Sequence, residues 1–193
     1  MKSTQPQSIR SWQKEFEEFF SWCAPRLKEV MEAGGVRELW LQGEAYRYFR
    51  HHRPGGLLNV WTNTCNRNDL AFYADEDSES PYLVLEMKLY GLNFLTKNLT
   101  GFSDMRPYQA PSQENARFTF TPRHRCHPRE GSILKDYRKL LKQPGCMRLL
   151  MLVLNTATDV NEFGEAIQRV DFGTPGVDVF KKDHVHVRWW EIG

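Results

Sequence analysis

The sequence predicts a mixed α/β domain built on a central sheet. Three observations predict it. Apolar residues recur at helical spacing up to about residue 51, strand-length apolar or alternating runs follow between 57 and 90, and helical and strand patterns then take turns towards residue 190. With 193 residues, 40% hydrophobic and 26% charged, the chain is long enough for one domain with a proper core and unlike a disordered composition. The expected organisation is a single domain over 1–193. Its core spans about 36–155, after an N-terminal helical segment over 1–35 and before a C-terminal helix and strand over 156–193.

In the first segment, Ile9, Trp12, Phe16, Phe19, Phe20 and Cys23 share one helical stripe, so a helix runs from Ile9 to Ala33, with Pro25 expected to break or kink it. A second helix over Val36–His51 carries apolar residues on two sides, and Pro54-Gly55-Gly56 closes it. Leu57–Thr62, Asn68–Ala74 and Tyr82–Tyr90 read as strands. The polar stretch Asp75–Pro81 between the last two makes them antiparallel neighbours. Residues 91–130 show weak periodicity and room for one short strand near Arg117–Thr121. Ser132 caps a helix whose stripe is Ile133, Leu134, Tyr137, Leu140 and Leu141, and Pro144-Gly145 ends it. Met147–Leu154 is continuously apolar, as a strand buried on both faces should be. A helix from Asp159 to about Val170 and a last strand over His184–Trp190 complete the reading.

Charge is unevenly spread. Between Met105 and Gly145 nine Lys/Arg face three acidic residues, a local +6, so a chain of net +2 carries −4 elsewhere. A basic segment beside an acidic body suits a protein that grips a polyanion along one side, or a solvated loop and helix face. The four cysteines form no CxxC pair, which argues against a disulfide framework or a four-Cys zinc site. The start MKSTQPQS has no apolar stretch, and the longest apolar run, Leu149–Leu154, is far short of a membrane span, so a cytoplasmic protein without a membrane partner is expected.

The chemistry is concentrated in Tyr82-Leu83-Val84-Leu85-Glu86-Met87-Lys88-Leu89. Residues two apart in a strand face the same way, so Glu86 and Lys88 share one face while Leu85, Met87 and Leu89 share the other. Two charges in an apolar strand need partners, either each other or a metal. Arg67, Asp69, Ala71 and Tyr73 alternate likewise on the preceding strand, and a hairpin brings Asp69 beside Glu86. Such a carboxylate pair is a hard oxygen site suited to Mg²⁺ or Mn²⁺, with Lys88 as a point charge beside it. The plain alternative is a structural Glu86–Lys88 ion pair.

The stretch Asn68-Asp69-Leu70-Ala71-Phe72-Tyr73-Ala74, a turn, then Tyr82 to Gly91 resembles the D…(D/E)xK signature of the PD-(D/E)xK nuclease superfamily. The resemblance covers about two-thirds of the chain, with Asn68 where the signature has Pro. It implies a restriction-endonuclease-like core of helix, three-strand antiparallel meander, helix and strand. It also implies a metal-dependent nuclease, with DNA as the expected substrate and a homodimer as the means of cutting two strands; the alternative is a nuclease-fold module that binds nucleic acid or serves assembly without turnover. Asp69 and Glu86 would then bind the metal and Lys88 assist catalysis. Asp75 and Asp77 compete with Asp69 from the turn. Glu44 would be a further metal ligand from the preceding helix, with Glu38 as second choice. Arg123, Arg125, Arg129 and Lys135 are the expected phosphate contacts.

Overall fold

The computed structural model describes residues 8–32, 37–62, 68–89, 118–119, 132–155, 170–172 and 174–193. Helix α1 (Ile9–Glu32) precedes α2 (Arg37–Arg47), which passes directly into a π-helical turn, Tyr48–His52. Strands β1 (Asn59–Trp61), β2 (Leu70–Tyr73) and β3 (Leu83–Leu89) follow, and β4 (Phe118–Thr119) is separate from them. Then come α3 (Ser132–Leu141), β5 (Met147–Asn155), β6 (Val170–Asp171), β7 (Val177–Lys182) and β8 (Val185–Glu191).

The architecture is α/β, with a mixed six-stranded open sheet ordered β1-β2-β3-β5-β8-β7. Strands β1, β2 and β3 form an antiparallel meander, β5 lies parallel to β3 across the α3 crossover, and β8 and β7 return antiparallel beyond it. A parallel neighbour requires such a crossover, because a short turn can only reverse the chain. Strands β4 and β6 pair separately.

Side-chain alternation divides the core into two. Leu83, Leu85, Met87, Leu149, Met151, Val153 and Trp189 face α1 and α2, joining Trp12, Phe16, Phe19, Leu41 and Phe49. Val84, Ala71, Leu150, Leu152, Leu154 and Trp190 face α3, joining Tyr137 and Leu140. Strand β5 is therefore buried on both faces, as its unbroken apolar run requires.

Three local features differ from expectation. Pro25, expected to break or kink the first helix, lies inside α1 without breaking it. The hydrogen bond it forgoes is to the carbonyl of Ser21; both residues are exposed, so water can satisfy that carbonyl. The second helix changes to π geometry at Tyr48, where the Arg53 N–H bonds the Tyr48 carbonyl at 2.9 Å. Strand β7 was not expected. It is joined to β8 through Asp183 and His184, both at positive φ (52° and 65°), a turn that glycine or asparagine ordinarily signals. The helix expected over Asp159–Val170 lies outside the described residues except at Val170, which is in β6.

Candidate functional site

The β2–β3 register pairs Leu70 with Leu85 and Ala71 with Val84. Continued by one residue it sets Asp69 opposite Glu86, on the sheet face that α3 covers. Asp69 is fixed from both sides: its Oδ2 accepts the Met87 backbone N–H at 2.6 Å and its Oδ1 accepts Gln42 Nε2 from α2 at 2.7 Å. The residue before it is held as firmly. Asn68 and Gln143, both buried, exchange two amide hydrogen bonds of 2.7 and 2.6 Å, which tie the entry of β2 to the turn between α3 and β5. Asn68 thus anchors the backbone immediately before Asp69. Asn68→Ala should leave the Gln143 amide buried without its partner and lower the unfolding free energy by about 1–2 kcal/mol, read from urea midpoints.

Glu86 is 1% exposed. Lys139 of α3 approaches its Oε1 at 2.5 Å. Lys88, two residues on and on the same face, donates to Glu38 Oε1 of α2 at 2.7 Å and pairs with Asp136 Oδ2 of α3 at 2.9 Å. The structure therefore brings Asp69, Glu86 and Lys88 into one cluster, with Glu38, Gln42, Asp136 and Lys139 added.

The electrostatics reflect four carboxylates sharing two ammonium groups. Burial raises the Asp69 carboxyl to about 6, opposed by the Met87 N–H and the Lys88 charge. Burial, then Asp69 and Asp136, raise Glu86 to about 8 against the pull of Lys139. Burial alone would lower the Lys88 pKa, but Asp136 and Glu38 outweigh it and hold the ammonium charged beyond the ordinary lysine range.

Glu44 is not brought to this cluster. It pairs with Arg26 of α1 at 2.7 Å and with Arg47 at 3.7 Å, so the α2 carboxylate at the site is Glu38, one turn before Gln42. Side-chain spacing explains it: Glu38 and Gln42 are four apart on one helix face, whereas Glu44 looks towards α1. Asp75 and Asp77 are exposed in the β2–β3 turn, where the Asp75 carboxylate accepts from Ser78. Arg123, Arg125 and Arg129 lie outside the described residues; Lys135 lies on α3. Asp136 and Lys139 were not singled out from the sequence, although they flank the apolar stripe of α3 three residues apart, the spacing that puts both over one patch of sheet.

No group of three or more His, Cys, Asp or Glu side chains able to hold a metal ion occurs among the described residues. What is present is a pair of hard-oxygen donors, Asp69 and Glu86, the first of which opposes ionisation of the second. A pair fits Mg²⁺, which takes one or two protein carboxylates and fills its shell with water and phosphate oxygens. In comparisons with known proteins, no family model, no curated protein and no solved structure matches the chain.

Proposed function

We propose that the protein is a divalent-metal-dependent nuclease that hydrolyses phosphodiester bonds, with DNA as the substrate. The observation that carries the reading is the meeting of Asp69, Glu86 and Lys88 on one sheet face at the junction of α2, β2, β3 and α3. The order α2, β1-β2-β3 meander, α3 crossover and parallel β5 supports a restriction-endonuclease-like core. No helix among the described residues is long and apolar enough to cross a membrane. A cytoplasmic setting, and a homodimer that supplies one site per strand, belong to the same reading.

Asp69 and Glu86 would hold the ion, Mg²⁺ or Mn²⁺, which would supply Lewis-acid polarisation of the phosphate and offset the repulsion between the two carboxylates. Gln42 and the Met87 N–H fix the Asp69 carboxylate, so its geometry is set before substrate arrives. Lys139, 2.5 Å from Glu86 Oε1, favours the ionised form of Glu86 and would have to turn aside for the ion. Lys88, kept charged by Asp136 and Glu38, lies beside the pair to offset negative charge gathering on the phosphate oxygens. Lys135 on α3, with Arg123, Arg125 and Arg129, would contact phosphates further along the strand.

Plasmid and single-stranded DNA incubated with Mg²⁺ or Mn²⁺ test this, with Asp69→Asn purified in parallel. The expected result is cleavage by the parent protein that a chelator stops and the variant lacks. Equal cleavage by both preparations, or none with either metal, overturns the reading.

A further inference from the structure

Trp61 is 41% exposed, one of few large hydrophobic side chains left so open among the described residues. It is nonetheless held. Its indole N–H bonds Asn59 Oδ1 at 3.0 Å, and the same oxygen accepts Arg50 Nη1 at 2.8 Å. The Arg50 guanidinium then lies over the Trp61 ring, 4.6 Å from its centroid. Tyr46 of α2 stands 6.5 Å from Trp61, and His51 meets Tyr46 edge-on at 6.2 Å. A solvent-facing aromatic surface fixed in orientation, with Arg50 over the indole and His51 against Tyr46, is suited to a flat, electron-rich group attached to an anion.

Its place in the fold gives it a purpose. Trp61 pairs with Ala71 across β1 and β2. Ala71 is two residues from Asp69, about 6.6 Å along the same strand face. On α2, Tyr46 is one turn beyond Gln42, the residue that bonds Asp69. Two independent elements therefore lead from the carboxylate pair to this aromatic surface.

We infer that Trp61 and Tyr46, with Arg50 behind the indole, form a stacking platform for an unpaired nucleobase, so that the preferred substrate is single-stranded or frayed rather than fully paired. The inference rests on the nuclease reading for the identity of the polyanion, but not on turnover. Bases inside a duplex are stacked on each other and cannot reach such a ring; an unpaired base can, and a ring already held in place loses little freedom on binding it.

Binding is measured in chelator, so that nothing is cut, with a fluorescent thymidine oligonucleotide of about 16 nucleotides and a blunt duplex of equal length. Expected is tighter binding of the single strand, weakened about tenfold by Trp61→Ala and restored to within about twofold of the parent by Trp61→Phe. Duplex binding should be unchanged. Trp61 is only partly covered, so the thermal midpoint of the Ala variant should fall by no more than a few degrees, and a folded Ala variant that has lost single-strand affinity separates loss of stacking from loss of fold. Equal single-strand affinity of parent and Trp61→Ala, or no single-strand binding, overturns the platform even if Mg²⁺-dependent cleavage is found. Trp61-dependent binding without cleavage supports the platform while removing the nuclease reading.

Discussion

Glu86→Gln should lower metal-dependent cleavage at least about 100-fold while making the protein harder to unfold at about pH 8.5. The two effects share one cause. Glu86 is buried beside Asp69 and near Asp136, and those surroundings favour its protonated form, raising its pKa from 4.5 to about 8. A carboxyl whose pKa is higher folded than unfolded adds stability that is complete below the unfolded value and lost as pH rises through the folded one. Asp69, raised from 3.8 to about 6, acts in the same direction over a lower window. The unfolding free energy of the parent should therefore fall between about pH 4 and pH 8, by on the order of 1–3 kcal/mol. Gln has the shape of the neutral acid and no charge to bury, so the part of that fall due to Glu86 disappears. Lys139, whose side chain is 25% exposed, can turn to water once its partner is neutral. The same change removes half of the proposed metal-binding pair, and loss of Lewis-acid stabilisation worth several kcal/mol sets the size of the activity loss. Urea titrations at several pH values, with and without Mg²⁺, check it. Mg²⁺ should stabilise the parent at alkaline pH and leave Glu86→Gln unaffected. Parallel pH slopes for the two proteins would show that Glu86 does not carry the linkage.

The separation between what the residues announced and what they hid follows sequence distance. That Glu86 and Lys88 share a face with Asp69 is a property of two strands and a short turn, and period-two alternation is enough to state it. The double burial of β5 was legible for the same reason. The choice between Glu38 and Glu44 was not. Both project from α2, and what removes Glu44 is Arg26, a residue of α1 brought up only by packing. Asp136 and Lys139 have a helix phase that can be read, but which strand charges they meet depends on the β3–α3–β5 crossover and its register. Strand β7 escaped because its turn uses Asp183 and His184 in place of the residues that usually mark positive φ. The clamp between Asn68 and Gln143 spans 75 positions, and nothing local to either amide points to the other.

Removing Lys88 should cost about 2–4 kcal/mol of stability in the Ala variant, and the conservative variant tells the reason. The ammonium lies between Glu38 and Asp136 and also lowers the Asp69 pKa, so its loss leaves three carboxylates facing one another in a largely dry site. The Lys88 pKa is raised. Its contribution is thus complete below the ordinary lysine value and fades only at more alkaline pH, so the deficit should persist across the neutral range. Loss of cleavage in Lys88→Ala therefore mixes two things, a weakened fold and a missing charge. Lys88→Arg separates them. A guanidinium keeps the charge that Asp136 and Glu38 need, and most of the stability should return. It is planar, larger and less concentrated than an ammonium, so it cannot occupy the same point beside the phosphate, and cleavage should stay down by about 10–100-fold. If Lys88 is only a structural partner for Asp136 and Glu38, stability and cleavage recover together in Lys88→Arg. Unfolding midpoints and cleavage rates measured on the same preparations decide between them, because a charge that acts on the phosphate has to be in the right place and a charge that holds the fold only has to be present.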